Sequence, residues 1–224
     1  LVAFKRVRAQ FRADQDVMAR IRREIDVQSS ITHPNIMPIL DHSEKFYWYT
    51  MPIAATSVGK LSTPVDDETL CQIIEDCANG LAFAHGKRCI HRDLTPNNVL
   101  YLDDGSRSRW VVADWGLVRR LGKTSTVYTA QGQSFGTAGF SAPETWYDAH
   151  DVDESADVYG LGRVVAWCVT GRWPSPNVPL LPDGKWFEFV DLTTKFEPTE
   201  RIQYMSEVLR LLEKVRAERE KSTD

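Results

Sequence analysis

The sequence predicts an α+β chain in which a short strand-rich part is followed by a longer, mainly helical part. Three observations carry this expectation. β-Branched, apolar and aromatic runs at Leu1–Val7, Ile36–Leu40 and Phe46–Ile53 all lie near the start of the chain. Leu70, Ile73, Ile74, Cys77, Ala78 and Leu81 then recur at spacings of three and four, the period of a core-facing helix, and Asp157 to Val169 is apolar almost all round, as a buried helix is. Between the two parts, Ala55 to Leu61 carries small, Ser/Thr and Gly residues and reads as a connector. With 224 residues, 42% of them hydrophobic and 26% charged, the chain can bury one sizeable core or pack two small lobes together.

Composition removes several functional classes. A net charge of -4 gives no overall basic field, so nucleic acid is not expected as a partner. Cys71, Cys77, Cys89 and Cys168 form no Cys-x-x-Cys pair, and Cys71 and Cys77 fall at apolar helical positions; buried reduced thiols are expected, not disulfides or zinc ligands. No apolar run approaches the roughly 20 residues that span a bilayer, and Leu1–Arg8 lacks the form of a signal peptide, so a cytoplasmic location is expected. The first residue is Leu and lies inside a strand pattern, which leads us to expect that the natural N-terminus lies further upstream.

Taken in order, the first strand, Leu1–Val7, presents one ammonium group at Lys5, ordinarily an exposed edge charge. Asp14 or Asp16 is placed to cap a following helix whose apolar side carries Val17, Ile21 and Ile25, and Pro34 marks its end. Glu24 stands on that helix among Arg20, Arg22, Arg23 and Asp26, where a glutamate is ordinarily solvated. Ile36–Leu40 and Phe46–Ile53 read as two strands joined at Asp41–Glu44. Thr63 before Pro64 is a good start for the helix that carries Leu70 to Leu81.

That helix leads into Ile90–Leu100, the stretch richest in chemistry. Pro96 restricts its own backbone and turns Thr95 away from helix, so the carboxylate of Asp93 and the amide of Asn98 ride on a constrained turn between apolar ends. A carboxylate there can orient and deprotonate an attacking hydroxyl, while an amide oxygen can hold a divalent cation, a pairing suited to phosphoryl transfer. Tyr101–Arg109 reads as a hairpin with a polar turn, and Trp110–Ala113 as the returning strand. It ends at Asp114-Trp115-Gly116, a second carboxylate of the kind that binds magnesium. From Leu117 to Phe140 Gly, Ser and Thr abound, as in a mobile surface segment; Thr124, Ser125, Thr126, Thr129 and Ser134 are candidate phosphate acceptors. Leu209–Lys221 reads as a charged terminal helix with a solvated face.

His91-Arg92-Asp93-Leu94 with Asn98 five positions beyond the Asp resembles the catalytic loop of protein kinases. Val2-Ala3-Phe4-Lys5, Asp114-Trp115-Gly116 and Gly136 to Glu144, which ends Ala-Pro-Glu, resemble further kinase elements in the right order, as does His33-Pro34-Asn35-Ile36 after the helix. The resemblance covers nearly the whole chain and is to eukaryotic-like (Hanks-type) serine/threonine kinases. It implies a bilobal fold within one domain: residues 1–54 form part of a small antiparallel-sheet lobe and the start of the hinge, and residues 55–224 the rest of the hinge and a mainly helical lobe. It further implies that ATP and Mg2+, or Mn2+ in its place, are used. Lys5, held by Glu24, would position phosphates; Asn98 and Asp114 would hold metal; Asp93 would act as base. Ala3, Met51, Ile53, Ala54 and Leu100, with Lys5 and Asp114, would line the nucleotide site. His91 and Asp157 would support the loop, Arg92 would meet a phosphorylated segment, and Arg201 would pair with Glu144.

Four departures stand out. Gln28 replaces an apolar residue that stacks on the position after the metal-binding aspartate, which predicts a looser stack; Trp115 replaces Phe; Thr95 replaces a common lysine; and nothing before Lys5 supplies the glycine-rich loop that covers the phosphates. The expected activity is transfer of the γ-phosphoryl group of ATP to Ser or Thr of a protein substrate, including the protein itself. The alternative is a pseudokinase-like scaffold; a small-molecule kinase is argued against by the segment ending at Glu144 and by Arg201. A homodimer or a regulatory partner fits the same resemblance, and Arg20, Arg22 and Arg23 are candidates to meet an activating phosphate.

Overall fold

Alternating exposed and half-buried residues along β1 (Val2–Arg6) give it the two-residue period of a strand covered on one face. The structure, a computed structural model, describes residues 1–117, 119–120, 139–147 and 152–221. β1 pairs antiparallel with β3 (Trp48–Pro52), with Ala3 opposite Met51 and Lys5 opposite Tyr49, and β2 (Asp41–His42) pairs with the other edge of β3. α1 (Gln15–Ser30) is capped by Asp14, whose carboxylate accepts from the backbone N–H groups of Asp16 and Val17. Its inward face buries Glu24, Ile25, Val27 and Gln28, so the glutamate expected to be ordinary on a solvated face is instead in the interior.

The second expected strand needs correction. Residues 36–40 do not pair with β3 as a strand; the paired residues are Asp41 and His42, within the expected connector, and the turn moves to Ser43–Phe46. Two competing partners explain the shift. Asn35 O accepts from Val112 N and Met37 N donates to Val112 O, which bridges Ile36 to Val112, and Pro38 has no N–H to continue a ladder. The residues after α1 are thereby sewn onto the larger part of the molecule.

That larger part contains a sheet of β4 (Thr56–Ser57), β6 (Val99–Asp103) and β7 (Ser108–Val112), antiparallel in the order β4-β6-β7. α2 (Asp67–Gly86) runs beneath it and leads to β5 (Cys89–Ile90), which pairs with β8 (Arg119–Arg120). α2 starts later than Thr63-Pro64 suggests: Val65 N is taken by Cys168 O, and Asp66 caps the helix by accepting from Thr69 N. α3 (Glu144–Tyr147), α4 (Ser155–Thr170), α5 (Phe187–Thr193) and α6 (Met205–Lys221) complete the described chain. α4 is almost entirely buried, as its composition predicts. α6 is not simply a solvated terminal helix, because Met205, Val208, Leu211, Leu212 and Val215 join the core with α2 and α4. All four cysteines are free and buried, in line with the sequence; burial pushes the Cys168 thiol up to about 12 and raises Cys77 as well.

α2 approaches the Asn35 segment so closely that Gly80 is required there. A Cβ on Gly80 would lie 2.7 Å from Asn35 O, and this carbonyl is held by Val112 N. Gly80→Ala gains about 1 kcal/mol in helix propensity but must force a backbone apart, an overpacking cost of about 1–3 kcal/mol. We expect a net loss of stability and a fall of a few degrees in Tm in a thermal melt; an unchanged or higher Tm would show that the Asn35 segment yields freely.

Candidate active site

Lys5 occupies an inward-facing position in the middle of β1, and its ammonium is the node of the site. Nζ lies 2.6 Å from Glu24 Oε1 and 3.3 Å from Asp114 Oδ1. Tyr49, directly across the sheet from Lys5, donates its hydroxyl to the same Glu24 oxygen at 2.5 Å and places its ring 5.5 Å from Nζ. Burial works against the ammonium, but the two carboxylates outweigh it and hold the Lys5 pKa above its ordinary value. Burial likewise raises Glu24, against the pull of Lys5, whereas at Asp114 burial is opposed by the charge and hydrogen bond of Lys5 together with His91 and Arg20, and the carboxyl is held below its usual range. Asp114 therefore stays ionised at neutral pH with its side chain 40% exposed to the cleft.

On the opposite wall, the loop after β5 is shaped from below by Asp157 of α4. Its buried carboxylate accepts from His91 N at 2.9 Å, Arg92 N at 2.8 Å and His85 Nε2 at 2.8 Å. These bonds hold Arg92 at φ 70, a conformation costly for a residue with a side chain. His91 is fully buried; its Nε2 donates to Ala113 O at 3.0 Å, its Nδ1 accepts from Asp93 N, and its ring meets Trp115 edge-on at 4.7 Å. Both ring nitrogens are thus committed to the backbone, and the half-buried Asp93 remains the group on this loop able to take a proton from a substrate.

Asn98 is fixed by four bonds, one of them a longer 3.4 Å bond from its Nδ2 to Asp93 Oδ2. Its Nδ2 donates to Asp93 O at 2.8 Å, its N–H to Thr95 O, and its carbonyl accepts from Ala113 N. The last of these lays Asn98 beside the residue preceding Asp114. The amide nitrogen is turned toward Asp93, which leaves Oδ1 for a cation, and Asp114 adds a carboxylate oxygen. Hard oxygen donors in this small number fit a divalent cation such as magnesium or manganese, with the rest of its shell left to water and phosphate. Among the described residues no group of three or more His, Cys, Asp or Glu forms a metal cage.

Four of the sequence-predicted nucleotide-lining residues lie near one another. Met51, Ala54 and Leu100 pack on an apolar cluster of Met37, Leu102, Val111 and Ala113, and Ala3 faces Met51 across the sheet. Ile53 and Ala54 lie between β3 and β4; Ile53 is 49% exposed. The turn of residues 115–117 packs against α1. Trp115 is fully buried and donates to Val112 O, while Gln28 is 2% exposed and donates to Met37 O.

A model of the family described as "Protein kinase domain" matches residues 1–222. The chain belongs to the protein kinase domain family. Among kinases, the serine/threonine-protein kinase PrkC of Bacillus subtilis is 30% identical over 179 residues, 77% of this chain and 27% of PrkC. The serine/threonine-protein kinase PknD of Mycobacterium tuberculosis is 31% identical over 180 residues, 78% of this chain and 26% of PknD. The chain thus spans about a quarter of the length of these curated relatives. The kinase domain of M. tuberculosis PknI has the same fold: TM-score 0.71 at 21% identity, covering 96% of this chain and 85% of that one. These findings place the chain among Hanks-type serine/threonine kinase domains, a family that uses ATP and a divalent metal.

Elsewhere in the kinase fold, Arg201 meets Glu144 through two bonds, 2.8 and 3.2 Å, and also donates to Ser155 O, Lys195 O and Phe196 O. Sequence reasoning missed Tyr49, which shares Glu24 with Lys5, and His85, the third donor to Asp157. Tyr49 stood in an aromatic-rich strand, and only the register with β1 singles it out; His85 carried no signal beyond its place at the end of α2. The predicted phosphate acceptors Thr124, Ser125, Thr126, Thr129 and Ser134, and the segment around them, lie outside the described residues. No helix among those described is long and apolar enough to cross a membrane.

Proposed function

We propose that the protein transfers the γ-phosphoryl group of ATP to Ser or Thr hydroxyls of protein substrates. The observation that supports this best is the bridge from Lys5 to both Glu24 and Asp114, facing a loop that presents Asp93 and Asn98. In this reading residues 1–224 are one kinase domain. Lys5, kept charged and aimed by Glu24 and Tyr49, binds phosphate oxygens; Asn98 and Asp114 would hold magnesium, which would neutralise charge on the phosphates when bound. The apolar wall of Ala3, Met51, Leu100 and the backbone of Ile53–Ala54 takes the adenine. Asp93 accepts a hydrogen bond from the acceptor hydroxyl and takes its proton as the new P–O bond forms and the bond from the γ-phosphorus to the β-phosphate oxygen breaks, so that ADP leaves. Positioning and fixed charge supply most of the acceleration, since little covalent chemistry falls to the protein. A cytoplasmic setting, where ATP is at hand and thiols stay reduced, suits the four free cysteines.

The test is magnesium-dependent transfer of label from γ-labelled ATP to mixed protein and to the protein itself, followed by phosphoamino-acid analysis. Labelled Ser or Thr supports the proposal; ATP binding without transfer would favour the scaffold alternative. In the same assay Lys5→Met removes one preorganised cation, and we expect kcat/KM to fall about 10²–10³-fold. A fall below about tenfold would show that Lys5 is not a main phosphate ligand.

A further inference from the structure

A second arginine grips the segment that ends at Glu144. Arg163, on α4, is 1% exposed, yet no carboxylate pairs with it among the described residues. Its guanidinium spreads over three backbone carbonyls: Nε donates to Gly139 O, one terminal nitrogen to Val178 O and the other to Ser175 O, each at 2.7 Å. Burial lowers its pKa, and among the described residues its charge meets these dipoles and the Tyr159 ring, 5.7 Å away. The same ring lies 4.9 Å from the guanidinium of Arg201, the partner of Glu144. Residues 139–144 are therefore held at one end by Arg163 and at the other by Arg201, with Tyr159 between the two cations.

A buried cation on a largely apolar helix is costly, and an apolar side chain there would normally serve stability as well or better. What Arg163 supplies instead is geometry. It joins Gly139 to the 175–178 loop, which packs so closely that a Cβ on Gly139 would lie 2.0 Å from Pro174 O. The block reaches the site. A Cβ on Gly160 would lie 3.1 Å from Leu94 Cβ and 3.7 Å from Phe140 O, so the Phe140 backbone rests beside the residue that follows Asp93. Trp173, 53% exposed, leans edge-on against Phe140 at 5.0 Å and extends this wall outward.

We propose that Arg163 is a positioning residue for capture of the protein substrate: its three-way fork fixes residues 139–141 and the 174–178 loop as one rigid shelf beside Asp93. The proposal rests on the kinase reading for the identity of the substrate, but not for the shelf itself. In Arg163→Met we expect amides of residues 139–147 and 175–178 to exchange hydrogen about tenfold faster, while amides in β1, β3 and α2 keep their rates. KM for a protein or peptide substrate should rise about tenfold, with KM for ATP unchanged. Should Arg163→Met not fold, Arg163→Lys keeps the cation, loses the fork and carries the same expectations. Unaltered exchange in the shelf, acceleration spread evenly over the chain, or an unchanged substrate KM would each overturn the proposal. If the wild-type protein transfers no phosphate, the kinase reading alone fails, and the exchange pattern still decides whether Arg163 sets the shelf.

Discussion

Asp93→Asn is expected to lower kcat for protein phosphorylation by about 10²–10⁴-fold, the usual worth of a positioned general base, while leaving KM for ATP within a factor of about two. The substitution is nearly isosteric. The bond that shapes this part of the loop, from Asn98 Nδ2, goes to the backbone carbonyl of residue 93 and survives it. Among the groups proposed to hold phosphate and metal, Lys5 is paired with Glu24 and Asp114. The change therefore removes a proton acceptor without removing the nucleotide site. Steady-state rates at saturating ATP, with nucleotide affinity measured separately, distinguish the outcomes. Retention of more than about a tenth of kcat would mean that the hydroxyl loses its proton to the phosphate or to water, with Asp93 acting only to orient it.

Much of this site was legible because its parts are local in sequence. Asp93 and Asn98 lie on one proline-constrained loop and Asp114 at the end of one strand, so residue type and spacing suffice to propose their chemistry. The pairing of Lys5 with Glu24 was accessible only through resemblance to kinases, since each residue alone reads as a surface charge. Where the reading failed, tertiary partners had outcompeted local preference. Thr63-Pro64 is a sound helix start, but Val65 N is drawn to Cys168 O on α4, and Asp66 then caps a later start. Residues 36–40 have strand composition, but Asn35 and Met37 spend their backbone bonds on Val112. In α6 the apolar positions were visible at three and four; the density of charge between them hid a face that joins the core. Arg163 gave no signal, because nothing local says that a helix residue will face three carbonyls from two distant segments.

The largest effect on stability is expected from the buried carboxylate beneath the loop. In Asp157→Asn one of two oxygens becomes an NH2 group. Oδ2 serves His91 N and His85 Nε2, and Oδ1 serves Arg92 N. The least unfavourable rotamer keeps the oxygen on the first pair and sets two donors, the new NH2 and Arg92 N–H, against each other in the interior. Breaking a buried charged network in this way costs about 3–5 kcal/mol, and the strained φ of Arg92 loses the bond that holds it. Both stability and kcat should fall, with nucleotide affinity less affected. The pH dependence gives an independent check. Burial opposes ionisation of Asp157, but the His85 hydrogen bond and charge, with the charge of His91 and the Arg92 N–H, outweigh it and hold the pKa below its ordinary 3.8. The unfolded chain then binds the proton more readily than the folded one. Its stabilisation is complete above that unfolded value and is lost as the pH falls through the lower folded value. Denaturant melts from about pH 6 downward should show wild type and Asp157→Asn converging in stability below about pH 4, where the carboxylate takes up a proton in the unfolded chain before it does so in the folded one. A gap that stays constant to the acid limit would assign the cost to lost shape alone and remove the charge of Asp157 from the account of how the loop is held.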